Sequence, residues 1–252
     1  KSRSPATMKK RPTSILITCE HGGNLIPPRY RPLFRGHEHL LQTHRGWDPG
    51  ALVMAKQLAK ALHALLFVAT TSRLLIDLNR SVGHPKLYSE ATRPASAETR
   101  REIFERYYLP YREQVEAHIA KEVAKGRRVV HISSHSFTPV LDGEVRNADI
   151  GLLYDPGREG ELEFCLRWQK TLEEAMPGLR VRRNYPYTGK SDGFTAYLRR
   201  SYSVDEYVGM ELEVNQKWAT LGGRAWMNLR RTLVRAVSEI LRDDTTENNA
   251  VA

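Results

Sequence analysis

Side chains suited to metal binding and proton transfer fall where the sequence predicts that strands end. Glu20 and His21 directly follow the apolar run 14–19, and His135 follows a second apolar run. Glu213 lies within a third run, close to its end. Open α/β sheets gather the carboxyl ends of their strands along one edge, so these residues are expected to share one site. Imidazole and carboxylate groups in one site can bind a divalent metal ion or transfer protons.

Each candidate also has an explanation that involves no chemistry. His21 could fill a tight turn before two glycines, and His135 could be a turn residue. Asp48 could cap a helix, Arg80 could form a surface ion pair, and Glu213 could lie on a solvated sheet face. A sheet brings the ends of its strands together in space, so the joint placement of these residues favours a functional site over separate coincidences.

The composition is that of an ordinary globular protein, with 40% hydrophobic and 27% charged residues in 252 positions. This length suffices for one large α/β domain. The two cysteines, Cys19 and Cys165, lack metal-binding spacing and indicate a reducing compartment, which favours a cytoplasmic protein. No apolar run approaches the length that spans a bilayer, so no membrane partner is expected.

The formal net charge of +10 raises the question of an anionic partner. The basic residues form small, scattered clusters instead of gathering on one element, so no nucleic-acid partner is expected. A basic surface would instead steer a small anionic substrate towards the site. The competing hypothesis is a basic binding module, which a salt-sensitive interaction with duplex DNA would support.

Hydrophobic periodicity predicts strands that alternate with helices, the pattern of an α/β sandwich with a largely parallel or mixed sheet. The predicted strands cover residues 14–19, 65–70, 128–133, 149–154, 181–183 and 207–214. The predicted helices cover residues 49–63, 96–125, 159–175 and 224–241. Pro110 is expected to break or kink the second of these helices, because proline lacks the backbone donor that a helix interior needs.

The composition has no break that requires a second domain. Residues 1–12 are polar and basic and are predicted to form a flexible arm, and residues 243–252 are predicted to form a polar tail. Residues 13–242 form the one predicted domain. Within it, segment 25–47 carries three prolines and reads as a long irregular insertion, and such loops are usually functional.

Several short motifs occur in a fixed order along the chain: CEHGGN at 19–24, GWDPGA at 46–51, DLNR at 77–80, HSFTP at 135–139 and ELEV at 211–214. Over about residues 14–216, these ordered motifs resemble those of the N-formylglutamate amidohydrolase family. The resemblance implies a three-layer α/β/α sandwich with a mixed, mostly parallel central sheet, the phosphorylase/hydrolase-like fold of zinc carboxypeptidases and aspartoacylases. It also implies one catalytic domain that hydrolyses the amide of N-formyl-L-glutamate or of a related N-acyl amino acid.

The resemblance also implies a zinc site. The wider zinc-hydrolase pattern has a His-x-x-Glu pair after a strand, an Asn-Arg pair, a later His and a final Glu. Matching positions in this chain are His21, the pair Asn79 and Arg80, His135 and Glu213.

One position departs from this pattern. Three residues after the first histidine the chain has Asn24 instead of a glutamate. Asp48, which precedes the next predicted helix, is inferred to supply the missing carboxylate ligand. Glu20 is the rival ligand, because it adjoins the histidine in sequence.

Roles for the remaining residues follow from the same resemblance. Zn²⁺ held by two imidazoles and a carboxylate would keep one position open for water. Glu213 and Arg80 are the expected catalytic residues, with Glu213 transferring protons and Arg80 gripping the substrate carboxylate. Arg73 and Asn79 are further expected substrate contacts. A zinc carboxypeptidase, or a deacylase with another acyl group, would use the same residues.

Overall fold

The computed structural model describes residues 11–250, with side chains up to Asp243. Its strands are β1 (Thr13–Cys19), β2 (Leu65–Val68), β3 (Arg128–Phe137), β4 (Val140–Leu141), β5 (Glu144–Val145), β6 (Ile150–Leu153), β7 (Val181–Arg183) and β8 (Tyr207–Asn215). Its helices are α1 (Ala51–Leu62), α2 (Ala97–Ile103), α3 (Leu109–Ala124), α4 (Glu159–Ala175), α5 (Phe194–Leu198), α6 (Gln216–Leu221) and α7 (Gly223–Ala250).

Six strands form the central sheet in the order β2-β1-β3-β8-β6-β7. The first four are parallel to one another, β6 runs antiparallel to β8, and β7 is parallel to β6. Strands β4 and β5 form a separate antiparallel hairpin. The predicted mixed, mostly parallel sheet is therefore confirmed.

Helices cover both faces of this sheet, so successive residues of β6 and β8 are all buried although they point to opposite faces. Successive residues of a strand point to opposite faces, so Ile17 enters the core formed with α1, α4 and α7. Its neighbour Leu16 enters the opposite core, where it packs with residues of α3 and α5. This arrangement confirms the three-layer α/β/α sandwich.

The predicted insertion at 25–47 is ordered and contains two short 3-10 helices, Pro28–Phe34 and Glu38–Gln42. Tyr30 and Phe34 pack into a third apolar cluster. Its other members are buried residues between Leu74 and Ala91, together with Ile103 at the end of α2 and Tyr108 just before α3. The insertion is thereby fixed against the segment that carries Asn79 and Arg80.

The second predicted helix changes its hydrogen-bonding pattern just before Pro110, while its backbone stays helical. A π-helical turn, Phe104–Tyr108, separates α2 from α3, and the proline lies in the first turn of α3. Proline is tolerated in a first turn because the backbone donors there have no partner within the helix.

Two predicted boundaries are wrong by more than two residues. Strand β3 continues to Phe137, because its pairing with β8 extends to Asn215, and His135 therefore lies within the strand and not after it. Helix α7 continues to Ala250, whereas the sequence placed its end near residue 241. The first ten residues of the predicted arm lie outside the described part of the chain. Among the described residues, no helix is both long and apolar enough to cross a membrane.

The pairing of β6 with β8 predicts that Gly151→Ala destabilises the protein. Gly151 is the register partner of Glu213, and an added Cβ would collide with the Tyr185 carbonyl oxygen and lie 3.2 Å from the Glu213 Cβ. We expect the free energy of unfolding in urea to fall by about 1–3 kcal/mol, the usual cost of overpacking.

Gly160→Ala in helix α4 is the matched control. An added Cβ there would meet only Val208, at the ordinary contact distance of 3.4 Å, and alanine favours the helix by up to about 1 kcal/mol. Equal unfolding free energies for Gly151→Ala and the wild type would contradict the close approach of β6 to Tyr185.

Candidate active site

The sheet order determines where the polar residues meet. After β1 the chain continues to β2 on one side of it, whereas β3 lies on the other side. Ligand sites in open α/β sheets form at the carboxyl ends of the strands where the order switches in this way. Glu20 and His21 follow β1, and His135 lies near the end of β3. All three are buried.

His21, Asp48 and His135 form a buried cluster. One nitrogen or oxygen from each of the three lies within 4.8 Å of the others. The Asp48 Oδ2 lies 3.3 Å from the His21 Nδ1 and 2.9 Å from the His135 Nδ1. The two imidazole rings meet edge to face, with centroids 5.0 Å apart. Two imidazoles and one carboxylate are a common catalytic zinc set, so this cluster fits a metal ion.

Asp48 does not cap α1, contrary to the simpler explanation of this residue. The residue before the helix is Gly50, whose φ of 88° is readily adopted only by glycine, and no side chain caps the helix there. The Asp48 backbone N–H donates to the His21 carbonyl oxygen at 3.0 Å. This bond ties the segment to the end of β1, and the carboxylate points between the two histidines.

Polar groups lie on the outer side of each imidazole. The His21 Nε2 donates to the Asp77 Oδ1 at 2.7 Å. The His135 Nε2 lies 2.8 Å from the Ser133 Oγ and 3.2 Å from the Glu20 Oε2. Such partners fix the ring orientation and the tautomer, because carboxylates only accept hydrogen bonds. Each ring therefore presents its Nδ1 to the cluster.

Glu20 lies behind His135, on the side of the ring away from Asp48. Its other hydrogen bonds come from the Ser133 hydroxyl at 2.6 Å and the Tyr111 hydroxyl at 3.0 Å. The Glu20 carboxylate is thus already satisfied by hydrogen-bond donors, and it is not part of the group that could hold a metal.

The electrostatics of the cluster favour charged groups despite burial. Burial by itself would raise the pKa of Asp48, but the neighbouring His21 and His135 hold it well below its usual range. Burial likewise opposes the ionisation of Asp77, yet Arg73 and His21 lower its pKa strongly. Burial also opposes charging of His135, whereas hydrogen bonds to Asp48 and Glu20 raise its pKa well above the usual value. A metal ion binds the neutral imidazole, so metal binding would compete with protonation of His135.

Glu213 is buried beside the cluster and not on a solvated sheet face. It is the register partner of His135, and its Oε2 has no hydrogen-bond partner among the described residues. Burial, reinforced by the negative charges of Asp48 and Glu211, raises the pKa of Glu213 to about 8. Glu211 points to the same face but accepts a hydrogen bond from Thr195 at 3.2 Å. The two carboxylates are therefore chemically distinct.

The segment around Arg80 is held from two sides. The Arg80 Nη1 donates to the Asp192 carbonyl oxygen at 2.6 Å, and the Tyr108 hydroxyl donates to the Arg80 carbonyl at 2.7 Å. The Asn79 Oδ1 accepts from the Phe194 backbone N–H at 2.6 Å. The Arg80 Nε is buried without a hydrogen-bond partner in the described chain.

Arg73 forms ion pairs with two acidic residues of the site. Arg73 donates to the Asp77 Oδ2 at 2.8 Å and lies 3.4 Å from the Asp48 Oδ1. Arg73 therefore bridges Asp48, which lies between the two histidines, and Asp77, which lies behind His21.

One cavity of about 760 Å³ connects these groups. This volume is typical of a small-molecule site. All the predicted site residues line the cavity, namely His21, Asp48, Arg73, Asn79, Arg80, His135 and Glu213.

The hydrogen bonds of Ser133 and Asp77 to the two histidines were not predicted from the sequence. Ser133 precedes His135 by two positions on the same strand, so period-two alternation could have placed both on one face. The pairing of Asp77 with His21 spans 56 positions of the sequence and has no local signal.

Comparisons with known proteins agree with this geometry. The family model for N-formylglutamate amidohydrolase matches residues 13–219. A gene product of Agrobacterium tumefaciens has a similar structure with 30% sequence identity and a TM-score of 0.72, over 90% of this chain and 91% of that one. An N-formylglutamate amidohydrolase from Ralstonia eutropha JMP134 has 17% identity and a TM-score of 0.67, over 96% of both chains, and shows the shared fold. No curated protein sequence matches.

The family match covers most of the chain and includes every strand of the central sheet. It decides between the enzyme and the basic binding module in favour of the enzyme. The chain is an amidohydrolase and belongs to the N-formylglutamate amidohydrolase family.

Proposed function

We propose that this enzyme hydrolyses the amide bond of N-formyl-L-glutamate to give formate and glutamate, and that the reaction depends on a metal ion. The observation that carries the proposal is one cavity in which a buried His-Asp-His cluster lies beside Glu213, a carboxylate without a hydrogen-bond partner in the described chain. Family membership supplies the reaction class.

The proposed ligands are His21, Asp48 and His135, and the proposed metal is Zn²⁺. When bound there, zinc would acidify a water molecule and polarise the amide carbonyl. Asp77 and Glu20 are assigned a supporting role, because each faces the outer nitrogen of one imidazole. Such outer partners commonly strengthen metal affinity 10- to 100-fold.

Glu213 is the proposed proton carrier. Its Oε2 would take a proton from the attacking water and return it to the leaving amine. A raised pKa near the working pH suits a group that must both accept and donate. The buried position of Glu213 within β8 explains this value, since burial penalises the charged form.

Arg80 is the proposed anchor for the substrate α-carboxylate. A guanidinium can form two parallel hydrogen bonds with a carboxylate, and the Arg80 Nε still lacks an acceptor. Asn79 and Arg73 line the same cavity and are proposed as further contacts. Arg73 also holds Asp48 and Asp77 in place.

A second candidate function is hydrolysis of a larger N-acyl group from the same amino acid. The cavity volume favours it, because a formyl group is the smallest acyl group and would leave space unfilled. Both candidates use the same ligands and the same proton carrier.

Formate release from N-formyl-L-glutamate tests the proposed function and its proton carrier together. We expect turnover by the zinc-loaded wild type, and a loss of roughly 10²-fold or more in kcat in Glu213→Gln, the usual scale for general acid–base catalysis. N-acetyl- and N-succinyl-L-glutamate, assayed in parallel, separate the two candidates. Faster hydrolysis of either would favour the larger acyl group.

Glu211→Gln is the matched control for this assay. It neutralises a neighbouring carboxylate of the same strand and face, one that already accepts a hydrogen bond from Thr195. We expect it to retain most activity. A Glu211→Gln variant that is inactive beside an active Glu213→Gln would reverse the assignment.

Metal analysis of purified variants tests the ligand assignment. We expect about one zinc ion per wild-type chain, and no stoichiometric zinc in Asp48→Asn or His135→Ala, because each removes a ligand. Glu20→Gln should bind zinc 10- to 100-fold more weakly at unchanged stoichiometry, as a supporting residue does. The opposite pattern, in which only Glu20→Gln abolishes zinc binding, would make Glu20 the ligand.

A further inference from the structure

Three side chains that line the cavity have a buried atom without a hydrogen-bond partner among the described residues. They are Arg80 through Nε, Arg146 through Nη1 and Glu213 through Oε2. The proposed function uses two of them. Arg146 has no role in it, and a buried guanidinium nitrogen without an acceptor costs free energy unless a ligand supplies one.

Arg146 immediately follows β5 and is held in place by two contacts. Its backbone N–H donates to the Pro139 carbonyl oxygen at 2.8 Å. Its guanidinium lies over the Tyr187 ring, 5.0 Å from the centroid. Both contacts position the side chain without using its hydrogen-bond donors, so the guanidinium is oriented and still available.

Other arginines of the cavity differ in this respect. Arg45 pairs with Glu90 at 2.6 Å, and Arg73 pairs with Asp77 at 2.8 Å. Within the described side chains, the guanidinium of Arg146 forms neither a hydrogen bond nor an ion pair. It is therefore suited to an anion that enters the cavity from solvent.

Arg146 and Arg80 lie on different parts of the cavity wall. Arg80 donates to the Asp192 carbonyl oxygen, on the side that carries Asn79. Arg146 lies near His44, whose pKa is lowered by burial and by the positive charge of Arg146. A substrate with two carboxylates could therefore meet one guanidinium with each.

We propose that Arg146 binds the side-chain carboxylate of the substrate while Arg80 binds its α-carboxylate, and that Arg146 thereby selects acidic N-acyl amino acids. This assignment rests on the proposed function. A planar guanidinium matches a carboxylate with two hydrogen bonds, and stacking on Tyr187 reduces the freedom that it would lose on binding. Arg146 is a specificity residue and takes no part in bond cleavage.

Kinetics with two substrates of nearly equal shape test the proposal. N-formyl-L-glutamine keeps the α-carboxylate but replaces the side-chain carboxylate with a neutral amide. In Arg146→Met we expect kcat/KM for N-formyl-L-glutamate to fall on the order of 10- to 100-fold, mainly through KM, because a charge-assisted hydrogen bond is lost in ground and transition states alike. The value for N-formyl-L-glutamine should not change, which also shows that the variant is folded.

Arg182→Met is the matched control. The Arg182 guanidinium also lies over a tyrosine, 4.0 Å from the Tyr185 ring centroid, but this arginine does not line the cavity. Removing its charge should leave both substrates unaffected. An equal loss for both substrates in Arg146→Met, or the same selective loss in Arg182→Met, would overturn the assignment.

Binding of the free amino acids separates this proposal from the proposed function. If the wild type released formate from neither substrate, the proposed function would be wrong, and calorimetric titration with L-glutamate and L-glutamine would still decide the role of Arg146. We expect wild type to bind L-glutamate at least about tenfold more tightly than L-glutamine, and Arg146→Met to lose that preference. No preference in the wild type, or an undiminished preference in Arg146→Met, would contradict the proposal.

Discussion

One buried carboxylate, that of Asp48, lies between two imidazoles and links the parts of the site. An ionised carboxylate in a protein interior is tolerated only when it is paired and hydrogen-bonded, and otherwise its pKa rises and it becomes neutral. Here the Asp48 oxygens lie close to His21, His135 and Arg73. Each partner comes from a different part of the chain, so the end of β1, the segment before α1 and the end of β3 must converge. The site is thus also a structural junction of the fold.

The network around this carboxylate explains why Glu213 is chemically different from its neighbours. Glu20 and Asp77 are buried too, but each has hydrogen-bond donors that hold its pKa low against the effect of burial. Glu213 lacks such donors and is buried near negatively charged neighbours, so its pKa is raised. Two kinds of carboxylate therefore surround the two histidines. The satisfied ones fix the histidines, and the unsatisfied one is available to exchange protons.

Sequence reasoning succeeded where signals are local. The strand β1 and the helix α4 were predicted to within one residue, because their apolar patterns are long and uninterrupted. The β4–β5 hairpin was missed, since strands of two residues carry no periodicity. The motifs led to every candidate site residue that lines the cavity, but not to Arg146. Nothing local indicates that this guanidinium enters the cavity, because its position depends on the hairpin and on contact with Tyr187, far along the chain.

An anomalous difference map, measured at the zinc absorption edge on crystals of the zinc-loaded enzyme, would locate the metal ion. The proposed ligand set predicts one strong peak per chain, contacted by the Nδ1 atoms of His21 and His135 and by a carboxylate oxygen of Asp48, at about 2.0–2.2 Å. A peak contacted through the outer Nε2 atoms, with Glu20 or Asp77 as the carboxylate ligand, would contradict it. So would the absence of a peak from this cavity.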